Sequence, residues 1–499
     1  MRLFKTLFII SFLGFIFWGC GGGGSDDSGF IPTGKIIAVA ERIGSNVEIK
    51  VGGTEGAAPP GSTVEVTNLK TGETLTTTAE SDGSFDPTFT GSTSDTFVVS
   101  INGTIVSDDP IGVTLISQAV TRRIESFGSS PTAIEIRGNR AYVLLFSDSI
   151  QIFDLDKDPP QRIGDIDLPP GSDPVAIAFL DGTRAYVSNN IGQNVAMVNV
   201  QTMECEAIIS ETPGDFRPCI NPPILVPEDS FEDPWTGVAI IDEKLYVSNF
   251  NFNKEFQPLG NGFVTVIDTT TNEVIKTIEL SAENAQEVTV VGNRVYVVSA
   301  GDLFFNAGLL IPATDGAVDV IDPEMDEIVA TIPIRLNPDL PLVGSPNKLE
   351  PTPDGKFGYI GSGTAGVLFK VNLENNTLVR GTGVEGTPGP IIVTSDRQQE
   401  GTFDIEIRDE LAFIAIFNTD QIFVMDTEND SIKPFPFIAP FPAGQKADDP
   451  DSILEGIQGL AIRPGKPGSD FQGADIFFVT VANSRTLGSI NTTLILPPE

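Results

Sequence analysis

The placement of the tyrosines constrains the fold more than any other feature of this sequence. The chain has 499 residues but only five tyrosines, and each lies in a short apolar stretch of similar sequence. The stretches are AYVLL at Tyr142, AYVSN at Tyr186, LYVSN at Tyr246, VYVVS at Tyr296 and GYIGS at Tyr359. A local context that recurs along a chain indicates an internal repeat, and the repeat decides the architecture before any other pattern does.

The sequence around each tyrosine also recurs and defines a unit of four strands, named a to d. Strand a is an alternating stretch that ends in a polar turn, and strand b carries the aromatic residue. Strand c ends in aspartate or asparagine, and a polar turn then leads into strand d. Two further copies place phenylalanine at the aromatic position, Phe413 and Phe478. The residues that end strand c are Asp154, Asn199, Asp268, Asp322, Asn372, Asp426 and Asn491.

Four antiparallel strands repeated along a chain are typical of β-propeller blades. We expect each tyrosine to pack between blades with its hydroxyl on a polar partner, and each strand-c Asp or Asn to accept hydrogen bonds from its own turn. The seventh copy stops after strand c, whereas an extra strand at residues 120–131 precedes the first copy. Pairing of that strand with the last copy would close the ring and remove its exposed edges.

Two resemblances support this interpretation. The segments AYVSNN…VAMVNVQT, LYVSN…VTVIDTTTNEVIKTI and PTPDGKFGYIGS are similar to YVTN-repeat β-propellers of secreted and surface-layer proteins. The alternating strands and glycine turns of residues 34–116 resemble bacterial Ig-like and carboxypeptidase-regulatory-like domains. The predicted fold is therefore all-β: a small β-sandwich at 34–116, then a seven-bladed β-propeller at 118–499 that an N-terminal d strand closes. These resemblances imply a fold and no single activity.

The first 33 residues predict export and anchoring. Arg2 and Lys5 precede an apolar run that, as a helix, spans only about 20 Å of a roughly 30 Å hydrocarbon core, so residues 1–19 fit a signal peptide. Gly19-Cys20 resembles the end of a bacterial lipobox, although Phe17 and Trp18 depart from its small residues. The resemblance implies palmitate and a second lipid chain at Cys20, a flexible tether at 20–33 and a place in the bacterial cell envelope, at the outer membrane or cell surface. The alternative is an ordinary signal peptide with an incidental cysteine.

Composition removes several classes of function. The chain has no histidine, which excludes imidazole-based triads, His-containing zinc sites and CxxCH haem attachment. Its formal net charge of -38 repels phosphate backbones, so nucleic acid is not an expected partner. Cys205 and Cys219 bracket one loop in an oxidising compartment, and we expect a disulfide between them.

Extra residues concentrate in the b–c and d–a loops of blades 2 to 4, which emerge at one rim of an antiparallel propeller. The distance from the aromatic to the end of strand c grows from 12 or 13 residues to 22 in the third copy and 26 in the fourth. Loops on a rigid scaffold are where binding is usually found. We therefore expect a protein or glycan partner to bind aromatic side chains here, with packing of the loops on themselves as the alternative. The candidates are Trp235, Phe250, Phe252, Phe256, Phe304 and Phe305.

The sequence favours a non-enzymatic binding role without a cofactor and leaves other functions open. Acidic stretches at 228–233 and 448–451 allow Ca²⁺ binding but are more typical of solvated loops. A metal-dependent lactonase-like or other hydrolytic propeller is the main alternative, with a divalent ion held by carboxylates. Its candidate ligands are Glu287, Glu350, Asp404 and Glu406, near the starts of strands a. The chain has only two tryptophans, and this small number argues against a lyase or quinoprotein-like enzyme.

Overall fold

The computed structural model contains β-strands and no α-helix in the residues that it describes. Among these residues, no helix is long and apolar enough to cross a membrane. Contacts divide the strands into two compact units, one with the first eight strands and one with the rest. The described residues are 36–43, 46–53, 57–81, 83–85, 87–90, 96–106, 111–115, 122–127, 129–157, 159–210, 216–219, 235–253, 258–306, 309–394, 401–417, 421–432, 437–438, 457–463, 476–480 and 486–490.

The first unit is one eight-stranded sheet that folds over a shared core. Its strands are Ile36–Ile43 (β1), Asn46–Gly53 (β2), Thr63–Asn68 (β3), Thr74–Thr78 (β4), Thr88–Thr90 (β5), Thr96–Ile101 (β6), Thr104–Ile105 (β7) and Ile111–Leu115 (β8). They pair in the order β4-β3-β6-β8-β1-β2-β5, with β7 on β6. Ile49 and Val51 of β2 share a core with Val64 and Val66 of β3, because alternate residues of each strand face inward.

The second unit begins with strand β9, Arg122–Ser126, and continues as seven successive antiparallel sheets of four or five strands. Sheet 1 contains Pro131–Arg137 (β10), Arg140–Leu145 (β11), Ser149–Asp154 (β12) and Gln161–Asp167 (β13). Sheet 2 contains Pro174–Phe179 (β14), Arg184–Asn189 (β15), Asn194–Asn199 (β16), Glu204–Ile209 (β17) and Phe216–Pro218 (β18). Sheet 3 contains Trp235–Ile241 (β19), Lys244–Asn249 (β20), Phe263–Asp268 (β21) and Glu273–Glu279 (β22).

Sheet 4 is interrupted by a separate hairpin between its second and third strands. It contains Ala285–Val291 (β23) and Arg294–Ser299 (β24), then the hairpin strands Leu303–Asn306 (β25) and Leu309–Pro312 (β26), then Gly316–Asp322 (β27) and Glu327–Ile334 (β28). Sheet 5 contains Pro346–Pro351 (β29), Phe357–Ser362 (β30), Val367–Asn372 (β31), Thr377–Arg380 (β32) and Ile391–Ile392 (β33).

The last two sheets complete the unit. Sheet 6 contains Thr402–Arg408 (β34), Leu411–Ile416 (β35), Gln421–Asp426 (β36), Ser431–Ile432 (β37) and Phe437–Ile438 (β38). Sheet 7 contains Ile457–Ile462 (β39), Ile476–Thr480 (β40) and Thr486–Ile490 (β41), and β9 is its fourth strand. The antiparallel register joins Thr486 to Ser126 and Leu487 to Glu125, so the predicted pairing of the extra strand with the last copy is confirmed.

The first strands of the seven sheets contact one another in a closed cycle. β10 contacts β14, each following first strand contacts the next, and β39 contacts β10 again. Each sheet is therefore covered on both faces, which explains why the second strands are buried almost throughout. Between sheets 2 and 3, for example, Tyr186 and Val195 share a core with Leu245 and Val247.

Four tyrosine hydroxyls hold the turn between the third and fourth strands of the next sheet. Every acceptor has a left-handed φ between 53° and 58°, which suits asparagine and aspartate. The hydroxyls donate from Tyr186 to Asn272 Oδ1 at 2.7 Å, from Tyr246 to Asp326 Oδ1, from Tyr296 to Asn376 Oδ1 at 3.1 Å and from Tyr359 to Asp430 Oδ1 at 2.6 Å. The expected polar partner is thus present for these four tyrosines, and it ties sheets 2, 3, 4 and 5 each to the next sheet.

The residues that end the third strands cap their own turns, as predicted. Asp268 Oδ1 accepts the backbone N–H groups of Thr270 and Thr271 at 2.8 and 3.0 Å. Asn372 Oδ1 accepts those of Glu374 and Asn375 in the same way. These side chains are structural, because their oxygens are used within the turn.

The aromatic position of sheet 7 is one residue from the predicted one. In sheets 1 to 6 the aromatic residue of the second strand pairs with the same position of the first strand, as in the pair Glu406 and Phe413. In sheet 7 the equivalent pair is Ala461 and Phe477, and Phe478 pairs with Leu460. The assignment of Phe478 is wrong because two phenylalanines stand side by side and the spacing alone does not distinguish them.

The predicted disulfide is present. Cys205 lies in β17 and Cys219 directly follows β18, and the bond joins them with a Cα–Cα distance of 5.7 Å. It fixes β18 as an additional outer strand of sheet 2.

We expect Tyr246→Phe to lower the free energy of unfolding by about 1–2 kcal/mol, because the hydroxyl donates to a carboxylate. Asp326 keeps its ion pair with Lys244 at 2.7 Å, which limits the loss. Chemical denaturation measured by circular dichroism gives the value.

Tyr142→Phe is the matched control, since the Tyr142 hydroxyl makes no hydrogen bond to another described residue. The equivalent turn position of sheet 2 is Met203, which has a left-handed φ of 61° but no oxygen in its side chain. Equal losses in Tyr142→Phe and Tyr246→Phe would show that the inter-sheet hydrogen bond contributes nothing.

Candidate functional site

Two positions of each first strand recur in register through the seven sheets. The positions are two residues apart and therefore lie on one side of the strand. In register order, the first position holds Ala133, Ala176, Gly237, Glu287, Lys348, Asp404 and Gly459. The second holds Glu135, Ala178, Ala239, Thr289, Glu350, Glu406 and Ala461. Charge is therefore confined to sheets 1, 4, 5 and 6.

These charged residues form one electrostatic group, which we name the inner cluster. It consists of five carboxylates and one ammonium group: Glu135, Glu287, Lys348, Glu350, Asp404 and Glu406. Glu135 remains accessible to water, and its carboxylate interacts with the charges of Glu287, Lys348, Asp404 and Glu406.

Lys348 and Asp404 are the structural centre of the inner cluster. The Lys348 ammonium contacts the Asp404 carboxylate and lies 3.2 Å from Glu406 Oε1. Asp404 Oδ2 also accepts the backbone N–H of Leu460 at 2.7 Å. Asp404 is 7% exposed, and through these contacts it joins sheet 5 to sheets 6 and 7. A buried carboxylate with this many partners is satisfied, and its first role is to hold strands together.

The remaining glutamates of the inner cluster have raised pKa values. Burial, with the nearby Glu406 charge, raises the pKa of Glu135 to about 8. Burial raises the pKa of Glu287 and that of Glu406 to about 7, against the opposing charge of Lys348. The pKa of Glu350 is also raised well above its usual range, mainly by burial. For Lys348, burial lowers the pKa but the surrounding carboxylates outweigh it and raise the pKa well above the usual value.

This arrangement can exchange protons near neutral pH. Glutamates with pKa values of about 7 to 8 are partly protonated there, which is what general acid or base chemistry requires. The described residues contain no group of three or more His, Cys, Asp or Glu placed to hold a metal ion. In the inner cluster the cation that faces Asp404 and Glu406 is Lys348 itself.

The sequence named four members of the inner cluster and missed two. Glu287, Glu350, Asp404 and Glu406 were expected near the starts of first strands, and the structure brings them into one electrostatic group. Glu135 and Lys348 complete the group. Alignment of the strands by the paired tyrosines is the signal that would have found them, because Glu135 and Glu350 occupy one position of the repeat.

The connections between the second and third strands of sheets 3 and 4 leave at the same end of their sheets. The connection in sheet 4 forms a separate two-stranded hairpin. The hairpin of β25 and β26 pairs Phe304 with Ile311, and the Phe304 side chain is 45% exposed. Its base is fixed, because the Asp302 N–H donates to Thr314 Oγ1 and that hydroxyl donates to Glu283 Oε2, both at 2.7 Å. Leu259, in the equivalent loop of sheet 3, is 62% exposed.

Two of the predicted binding aromatics are buried instead of exposed. Phe250 and Phe252 are 8% and 5% exposed, and their ring centroids lie 5.3 Å apart. Exposure of these two rings was the wrong expectation, because the loop of sheet 3 packs on its own aromatics. The side chains of Trp235 and Phe305, and all of Phe256, lie outside the described residues. The acidic stretches at 228–233 and 448–451 lie outside them as well.

A cavity of about 270 Å³ lies between β28 of sheet 4 and β32 of sheet 5. Its lining is mixed: Ile332, Leu378 and Val384 contribute apolar surface, and Asn376 and Glu385 contribute polar groups. It shares no residue with the inner cluster or with the hairpin, and none of the residues singled out from the sequence as a site lines it.

No protein-family model matches the chain, and no curated protein matches it either. Solved structures do match. A chain of the Kuenenia stuttgartiensis hydrazine synthase is 14% identical with a TM-score of 0.51, covering 74% of this chain and 98% of that one. Virginiamycin B lyase from Staphylococcus aureus is 9% identical with a TM-score of 0.50, covering 74% and 98%. At these identities the likeness shows the fold alone, a β-propeller-like arrangement of antiparallel sheets.

Stability is expected to fall as the pH rises from 5 to 8.5, because of the inner cluster. A carboxyl whose folded pKa exceeds its unfolded value stabilises the fold fully below the unfolded pKa and loses that contribution as pH rises through the folded pKa. For Glu287 this window runs from about 4.5 to about 7. Glu287→Gln removes the titration, so we expect its stability loss across the window to be smaller than that of the wild type by on the order of 2 kcal/mol.

The measurement is urea denaturation at several pH values. Glu324→Gln, an exposed glutamate in a turn of sheet 4, is the matched control and should keep the wild-type pH dependence. An unchanged pH dependence in Glu287→Gln would rule out the raised pKa.

Proposed function

We propose that this chain is an envelope lipoprotein whose seven-bladed β-propeller binds a protein or glycan partner through the rim of sheets 2 to 4. In this proposal, residues 1–19 are a signal peptide, Cys20 carries the lipid, 20–33 are a tether and 34–116 are a β-sandwich spacer. Residues 118–499 form the propeller. The closed cycle of first strands and the pairing of β9 with β41 support a count of seven blades.

The hairpin of β25 and β26 is the observation that carries the binding proposal. An apolar ring that is 45% exposed on a projection with a fixed base has no evident role in folding. A rigid aromatic anchor contributes much to binding, because little conformational entropy is lost when it docks. β-Propellers generally act as scaffolds for protein interaction, and the insertion lies on the rim where the scaffold carries its long loops.

A second candidate function rests on the inner cluster. Glutamates with pKa values near neutral pH that lie together on the first strands suit acid–base chemistry on a small substrate. The hydrolytic alternative would then act without the divalent ion that lactonase-like propellers use, since Lys348 supplies the positive charge. A stoichiometric divalent ion that is lost in Asp404→Asn would favour the metal-dependent form instead.

Phe304→Ala is expected to weaken partner capture by about fivefold or more while leaving the fold intact, because a central aromatic anchor typically contributes more than about 1 kcal/mol. The measurement is crosslinked affinity capture on intact cells that carry the full-length chain, followed by identification of the retained protein or glycan. Cys20→Ser should release the chain from the membrane fraction without changing its capture of the purified partner.

Met325→Ala is the matched control, since Met325 is 53% exposed in a turn of sheet 4 at the opposite end of the sheet. Capture that is equal in Phe304→Ala, Met325→Ala and the wild type would contradict binding through the hairpin.

A further inference from the structure

The residue before each first strand belongs to a repeated junction in the second unit. Its carbonyl accepts the N–H of the residue that follows the second strand of the same sheet, at 2.8 to 3.1 Å. The acceptors in sheets 1, 2, 4, 5 and 6 are Ser130, Asp173, Asn284, Ser345 and Gly401. Asp173, Asn284 and Ser345 have left-handed φ angles of 52°, 62° and 50°, a conformation that short polar residues tolerate.

Asp173 is the charged member of this set, and its carboxylate has no partner. Asp173 is 2% exposed, and neither Oδ1 nor Oδ2 accepts a hydrogen bond. Asn284 shows that an uncharged amide meets the backbone requirement of the position. A buried carboxylate without a hydrogen bond or a counter-charge costs several kcal/mol. The backbone contact at this junction therefore does not account for a carboxylate at position 173.

A third unpartnered acceptor lies in the neighbouring strand. Asn189 pairs with Pro174 in the register of β14 and β15, so it stands next to Asp173 across the sheet. Its Nδ2 donates to Asn194 Oδ1 at 2.7 Å, which identifies Oδ1 as the remaining atom, and Oδ1 is buried without a partner. Asn249 Oδ1 is also unpartnered at the equivalent place in sheet 3, but no described carboxylate accompanies it.

A second carboxylate lies beside Asp173. Asp148 Oδ1 accepts the Asp173 N–H at 2.9 Å, and Asp148 Oδ2 accepts the Gly171 N–H at 2.8 Å. Each of these oxygens has a second lone pair after accepting one hydrogen bond. Asp148 raises the pKa of Asp173 further, although burial is the larger cause. Two carboxylates, those of Asp148 and Asp173, therefore lie at the junction between sheets 1 and 2.

We propose that Asp148, Asp173 and Asn189 hold a Ca²⁺ ion at the junction of sheets 1 and 2. Carboxylate and amide oxygens are the ligands that Ca²⁺ prefers, and two carboxylates balance its charge. A water molecule has only two protons for the three unpartnered acceptors, and it leaves the charge of Asp173 uncompensated. The ion would fix the b–c turn of sheet 1 to the start of sheet 2, close to the rim that carries the long loops.

The test is Ca²⁺ binding by the full-length chain and its Asp173→Asn variant. Equilibrium dialysis with ⁴⁵Ca²⁺ should show one ion fewer per chain in Asp173→Asn. The thermal midpoint of the wild type should rise by about 2–4 °C from EGTA to millimolar CaCl₂, and this rise should be absent in the variant. Asp242→Asn, an exposed left-handed aspartate in sheet 3, should behave as the wild type.

Two results would overturn the proposal. The first is an equal number of bound ions in the wild type and Asp173→Asn. The second is an Asp173→Asn variant at least as stable as the wild type in both EGTA and CaCl₂, which would mean that Asp173 is simply protonated. If Asp173→Asn does not fold, Asp173→Ser gives the same comparison, because Ser345 occupies the equivalent position of sheet 5.

Discussion

Burial of both faces of every sheet is the constraint on which the second unit depends. A four-stranded sheet with two apolar faces is stable only between two neighbours, so a row of such sheets needs closure at its ends. In this chain the closure comes from β9, the first strand of the unit, which pairs with β41 of the last sheet. In sheets 2 to 5 the tyrosine hydroxyls then fix the rotation of one sheet against the next, because each reaches a turn that only the correct neighbour presents.

Closure of the ring constrains side-chain size on the first strands of the second unit more than it constrains loop length at the rim. Inside, the first strands are too close for side chains at some points: a Cβ on Gly237 would lie 2.5 Å from the Val288 nitrogen. There the first strands of sheets 2 and 3 carry small residues, whereas those of sheets 1, 4, 5 and 6 carry the charged residues of the inner cluster. At the rim, the chain is free to extend, as it does in the hairpin of β25 and β26. The inner cluster and the hairpin therefore lie in different parts of the second unit.

The repeat could be predicted from the sequence because its residues act locally. The strand-c Asp and Asn residues cap adjacent turns, and the tyrosines recur with fixed spacing, so pattern alone finds them. The inner cluster was found only in part, because Glu135 and Lys348 come together with distant residues through the ring and not through the chain. Burial of Phe250 and Phe252 depends on how an insertion packs, and alternation of sequence carries no information about that. Asp173 is an ordinary turn residue in sequence, and only its burial in the fold makes it unusual.

Hydrogen exchange of the β9 backbone, measured by mass spectrometry on the full-length chain, tests the closed ring most directly. If β9 completes sheet 7, the amides of Arg122–Ser126 exchange as slowly as those of Thr486–Ile490, and both exchange only when the whole unit unfolds. Exchange of β9 amides at the rate of an unpaired segment, while β41 stays protected, would contradict the ring.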